Sequence, residues 1–161
     1  MANDFVSYDV ESVSVANTED NNSLETTQWA YDKNTDIRCG ELMTTDVRSD
    51  IGEHQLTTPA TTGYPVNFIC KYAYDASEID LTQEPVTCFK IQRGVEYVLP
   101  ESNIHASEAA FTLGDYITNT AGYFDLGTPG AQFMAFQVLS PATRGAGGYF
   151  RAIGVCSELP G

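Results

Sequence analysis

The stretch Ser140–Phe150, SPATRGAGGYF, places three glycines in four positions behind Arg144. Such a run cradles a phosphate when a strand leads into it, the glycine spacing fits and a helix N-terminus follows. Here the spacing matches neither G-x-x-x-x-G-K-[ST] nor G-x-G-x-x-G, and the next residues, YFRAIGVC, alternate like a strand. A flexible hairpin connection between two strands, with glycines at positive φ and a mobile tip, accounts for these residues more simply. Arg144, a cation at the tip of that link on an acidic chain, is a candidate for touching a partner.

The other residues that could do chemistry are scattered. Asp32, Asn34 and Asp36 have the spacing of the first ligands of a helix–loop–helix calcium site. The sixth position is Ile37 where that loop needs glycine, and the twelfth is Met43 where it needs glutamate. The motif fails as written, leaving only an irregular site built from separate loops. His54 and His105 are the two histidines, and Ser102 and Ser107 flank the second, yet no G-x-S-x-G elbow accompanies them. Glu78, Asp80 and Glu84 gather in a Ser/Thr/Pro-containing loop, where solvated charges are expected rather than a glycosidase pair. No residue is read as catalytic, and no metal or cofactor is expected. Trp29 and Tyr31 stand out because they lie in a polar segment and share one face if it is extended. Both either fold back onto a core or anchor a partner, as aromatic residues do at interfaces.

The elements that must position these residues are short strands. PVNFICKYAY puts Val66, Phe68, Cys70, Tyr72 and Tyr74 on one face, a period-2 pattern that predicts a half-buried strand. TCFKIQRGVEYVL gives two alternating runs broken at Arg93-Gly94. FTLGDYIT aligns Phe111, Leu113 and Ile117, while AQFMAFQVL is apolar on both faces and reads as a central strand. One short helical turn or two is expected within PESNIHASEAAF. The pattern predicts an all-β chain, a compact antiparallel barrel or sandwich over residues 36–161. Residues 1–35 are polar and acidic, with isolated Val6, Tyr8, Trp29 and Tyr31, and are expected to form an extended N-terminal arm.

With 161 residues the chain is long enough for one domain with a real core. Its 22 acidic side chains against 8 basic give a net charge of −14, with −9 of it in residues 1–53. That balance disfavours nucleic acid, whose binding needs Lys and Arg to displace counterions, and disfavours an anionic membrane surface. The opening MANDFVSYDV lacks a basic n-region and an apolar h-region, so no signal peptide is expected. No apolar run approaches the roughly 18–20 residues of a membrane-spanning helix. Cys39, Cys70, Cys88 and Cys156 form no C-x-x-C pair, and buried free thiols are the expected state. Export by another route would leave room for one or two disulfides.

Taken together, IRCGELMTTD, TTGYPVNFICKYAY, FTLGDYITNTAGYF and FMAFQVLSPATRGAGGYFRAIGV give residues 37–156 a pattern that resembles tailed-phage capsid decoration (cement) proteins. The steps carrying the resemblance are Gly40-Glu41-Leu42, Gly114-Asp115 and Gly122-Tyr123-Phe124. It implies a β-barrel or β-tulip-like fold that binds the major capsid protein on the outside of an assembled shell, with a trimer favoured and no chemistry performed. It also implies synthesis in the host cytoplasm and residence on the virion exterior. Val6, Tyr8, Trp29, Tyr31 and Arg144 are the interface candidates. Two rivals share the composition: another virion component (tail, collar or fibre), and a secreted carbohydrate-binding module or hydrolase.

Overall fold

Alternating apolar residues cut by turn glycines give thirteen short strands among the described residues, which are 10–16, 24–30, 35–48, 52–81 and 83–160 of the computed structural model. Six form one sheet, in the spatial order β1 (Ser14–Val15), β7 (Glu96–Pro100), β13 (Tyr149–Glu158), β11 (Phe133–Val138), β9 (Tyr116–Thr120) and β10 (Tyr123–Leu126). Five form a second, in the order β2 (Glu25–Gln28), β6 (Val86–Lys90), β5 (Phe68–Cys70), β3 (Leu42–Arg48) and β4 (Glu53–Thr57). A small pair, β8 (Ala110–Phe111) and β12 (Ala142–Thr143), flanks them. Neighbouring strands pair antiparallel throughout both sheets. Of the two expected architectures, the sandwich is the one observed.

The main core lies where the sheets meet: Leu42, Ile69 and Phe89 from the second sheet pack with Leu99, Phe136 and Phe150 from the first. Tyr97 meets Phe136 edge-on at 5.4 Å between ring centroids, and Phe124 meets Phe150 likewise at 5.9 Å. Each fully buried aromatic of this size contributes roughly 1.5–3 kcal/mol, and the core takes six phenylalanines but only one tyrosine, Tyr97, among the described residues. The buried Tyr97 hydroxyl donates to the Lys90 carbonyl at 2.5 Å and accepts from the Gln92 amide at 3.0 Å. It thereby ties down the turn at Arg93-Gly94. That turn is not a hairpin, because β6 and β7 belong to different sheets. Gly154 of β13 sits directly against it: a Cβ there would come within 2.1 Å of the Gln92 carbonyl oxygen.

The second sheet is apolar on both faces. Phe68, Cys70, Val86 and Cys88 point away from the main core into a second cluster with Ile37, Met43 and Leu56. The expected strand from Val66 to Tyr74 is therefore only Phe68–Cys70, and it is buried on both sides rather than half-buried. The chain after Cys70 turns to cover the sheet, packing Tyr74, Ala76 and Ile79 on this cluster. The Leu56 amide of edge strand β4 also donates to the Trp29 carbonyl, 2.7 Å away and just past the opposite edge strand β2. The sheet is thus curled until a backbone bond bridges its two edges.

Two further expectations change. Leu113 was aligned with Phe111 and Ile117, but it lies in the turn between β8 and β9 and is 69% exposed. The arm boundary at residue 35 does not hold for the described residues: β1 and β2 are edge strands of the two sheets, and Val13, Val15, Leu24 and Ala30 are buried. An edge strand needs only one apolar face and a row of backbone bonds, so a polar sequence serves well there. The helical expectation reduces to one 3-10 turn, Glu101–Asn103.

All four cysteines are free thiols, three buried and Cys156 half-buried. Cys70 and Cys88 face each other across β5 and β6. Burial pushes the Cys39 and Cys88 thiols up to about 12 and the Cys156 thiol to about 11. A raised folded-state pKa contributes stability that is complete below the unfolded value and lost as pH climbs through the folded one. Thermal stability is thus expected to hold to roughly pH 8 and to fall progressively from about pH 9 upward. An aromatic disulfide reagent at pH 8 should react slowly with the native protein and with four thiols after denaturation. A melting temperature that rises between pH 9 and 11 would contradict the sign.

Candidate functional site

The glycine-rich link is a clamped loop. Glu101, buried in the 3-10 turn after β7, accepts the Thr143 amide at 2.7 Å on one oxygen and the Gly148 amide at 3.0 Å on the other. A Cβ at Gly148 would meet Glu101 Oε1 at 2.9 Å, so any larger residue there would have to push the carboxylate aside. Two amides at the ends of the glycine run are therefore held by the protein's own carboxylate. Arg144 is exposed as expected, with its Nε donating to the Glu108 carbonyl at 2.8 Å and its amide to Ala109. Replacing Glu101 by Gln leaves one acceptor for two amides. The expected loss is about 1.5–3 kcal/mol, read by urea denaturation, with faster hydrogen exchange confined to residues 142–148. Unchanged exchange there would show that the clamp is not what orders the loop.

A second polar cluster, which sequence reading missed, joins the loops at residues 38–41, 101–105 and 121–123. Arg38 Nε donates to Asn103 Oδ1 at 2.9 Å, and one terminal nitrogen donates to the Ala121 carbonyl at 2.9 Å. The guanidinium also pairs with fully buried Glu41 at 3.4 Å and lies 3.6 Å from the centre of the Tyr123 ring. Thr58 donates its hydroxyl to the other Glu41 oxygen. Asn103 Nδ2 completes the cluster with bonds to the carbonyls of Gly40 at 2.7 Å and Gly122 at 3.0 Å. Ala121 and Gly122, at φ of 51° and 83°, form the two-residue turn between β9 and β10 that this cluster grips. A lone arginine three residues before a glutamate was the one local signal available. Its partners 65 and 83 residues away were not readable.

Ser107, His105 and Asp125 do meet beside this cluster. Ser107 Oγ lies 2.7 Å from His105 Nδ1 and donates to Asp125 Oδ1 at 3.2 Å, while Asp125 Oδ2 is 3.9 Å from the same ring nitrogen. A hydrolytic relay needs the serine on one ring nitrogen and the carboxylate on the other. Here both crowd Nδ1, which also receives the Ser107 amide at 3.2 Å. The arrangement fixes a turn and does not match that relay. Glu108 nearby has its carboxyl held above the usual range, first by burial and then by the charges of Asp125 and Asp115.

Of the remaining sequence candidates, Val6, Tyr8, Tyr31, Asp32 and Asn34 lie outside the described residues. Trp29 is 36% exposed at the seam where the second sheet's edges are bridged. Asp36 accepts the Ala76 amide at 2.9 Å, and His54, Glu78, Asp80 and Glu84 are exposed. Among the described residues no group of three or more His, Cys, Asp or Glu is gathered for a metal, and no helix is long and apolar enough to cross a membrane. A third feature was not anticipated, a groove of about 340 Å³ between the β3–β4 hairpin and residues 58–64, with Tyr64 half-exposed on its wall.

The geometry defines a β-sandwich in which several of the described loops are held by internal polar contacts. No family model matches the chain, and no curated protein matches it.

Proposed function

We propose that this chain is a non-enzymatic virion structural protein that binds the outside of a phage capsid and stabilises the shell. One observation carries the reading. The polar side chains that gather into clusters (Arg38, Glu41, Glu101, Asn103 and the Ser107–His105–Asp125 cluster) are each engaged in fixing a loop. Rigid loops suit docking, because little ordering entropy remains to oppose association. The resemblance in sequence supplies the partner, the major capsid protein, and favours a homo-trimer. A ligand that binds only the assembled shell shifts the equilibrium towards it by mass action.

Trp29 and Arg144 are the described residues from which contact is expected, with Leu126 and Tyr149, each 46% exposed, as further apolar surface. Arg144→Glu should leave the melting temperature within a few degrees, because its loop is held by Glu101, and should weaken shell binding. Labelling the protein in intact virions and imaging them by electron microscopy tests the proposed location. Label spread over the head supports decoration, whereas label confined to tail, collar or fibre would reassign the protein within the virion.

A further inference from the structure

We propose that the groove between the β3–β4 hairpin and residues 58–64 binds a neutral oligosaccharide. Its lining selects the ligand. On β3, Thr44 and Asp46 share a face, as alternate residues of a strand do, and Thr57 of β4 stands opposite Thr44 in register. Thr61 continues the wall beside Thr58, whose hydroxyl is turned to Glu41, and Tyr64 closes it. Threonine hydroxyls both donate and accept, matching a polyol. An apolar ligand would desolvate these hydroxyls without return. An anion would meet Asp46, no lysine or arginine among the described residues of the lining, and a chain of net charge −14.

Tyr64 supplies the other half of sugar recognition, an open aromatic face for the C–H side of a pyranose ring. It is 51% exposed, yet its backbone is held firmly. Asn119 Nδ2 donates to the Tyr64 carbonyl at 2.8 Å, and the Tyr64 amide donates to Thr61 at 3.2 Å. The preceding Gly63 donates to the Asn119 carbonyl at 2.9 Å and accepts from the Phe133 amide at 3.0 Å. Those bonds anchor the ring's backbone to β9 and β11, so little order must be gained on binding. The volume of about 340 Å³ falls in the roughly 300–1,000 Å³ range of small-molecule sites. The inference stands apart from capsid binding, since it is argued from the groove's own lining.

The test is calorimetric titration of the full chain with cellotriose, maltotriose, mannotriose and chitotriose, each to about 10 mM, the weak end of useful affinities. At least one should bind saturably. Tyr64→Ala should weaken it at least tenfold, Asp46→Asn severalfold, and Tyr64→Phe, which keeps the ring, should retain it. Near-ultraviolet circular dichroism of each variant reports whether the fold is intact. No saturable binding by any of the four overturns the proposal. So does a folded Tyr64→Ala with undiminished affinity, or tighter binding of a sialylated trisaccharide than of its neutral parent.

Discussion

A chain lacking residues 1–35 is expected to lose its cooperative thermal transition. The deletion removes β1 and β2, the outer strands next to β7 and β6. It also removes Val13, Val15 and Leu24 from the main core. At roughly 1.5–3 kcal/mol for each such side chain, the loss is about 5–9 kcal/mol. That is comparable with the whole stability of a typical domain, about 5–15 kcal/mol. The backbone edges of β6 and β7 would be laid open at the same time, inviting strand pairing between molecules. Near-ultraviolet circular dichroism and a thermal scan decide the matter. A truncated protein that melts within a few degrees of the full chain would show that residues 1–35 are the separable arm their composition suggests.

The second large effect is expected at Arg38. Arg38→Ala leaves Glu41 fully buried with its cation gone, and frees the Asn103 side chain and the Ala121 carbonyl from their partner. Breaking a buried ion pair from one side costs about 3–5 kcal/mol, and the lower figure applies because the guanidinium is part-exposed and Thr58 still bonds Glu41. Arg38→Lys should recover only part, since an ammonium cannot make the same forked contacts. Glu41→Gln in the Arg38→Ala background removes the orphaned charge, so the double variant should be more stable than the sum of the two single losses. Strict additivity in urea denaturation would mean that the two side chains act independently.

Much of this fold is legible in the sequence where burial follows a local period. FMAFQVL, apolar on both faces, is the central strand β11, and YFRAIGVC falls within the longest strand, β13. The strand expected across PVNFICKYAY failed because Tyr72 and Tyr74 prolong the alternation after the backbone has left the sheet. Those tyrosines face different neighbours: the Tyr74 hydroxyl bonds the Thr87 amide at 2.8 Å, and Tyr72 flanks Lys71. The polar segment before residue 36 misled for a different reason. Edge strands are stabilised largely by backbone bonds, which leave little trace in side-chain type.

The candidate sites were less legible than the strands. Arg38, Asn103 and Gly122 come together only through topology, as do Glu101 with Gly148 and Tyr64 with the threonines of β3 and β4. Within RGAGGYF the glycines were correctly read as a link between strands. Its rigidity was hidden, because the residue that holds it, Glu101, lies 47 positions before Gly148.

The most direct measurement is co-sedimentation of the full-length protein with undecorated shells assembled from the major capsid protein of the same virus. Capsid binding predicts saturable recovery in the pellet at micromolar concentration, with a fixed number of copies per shell and less recovery of Arg144→Glu. A protein that stays in the supernatant at every concentration, while folded by circular dichroism, would contradict the proposed function.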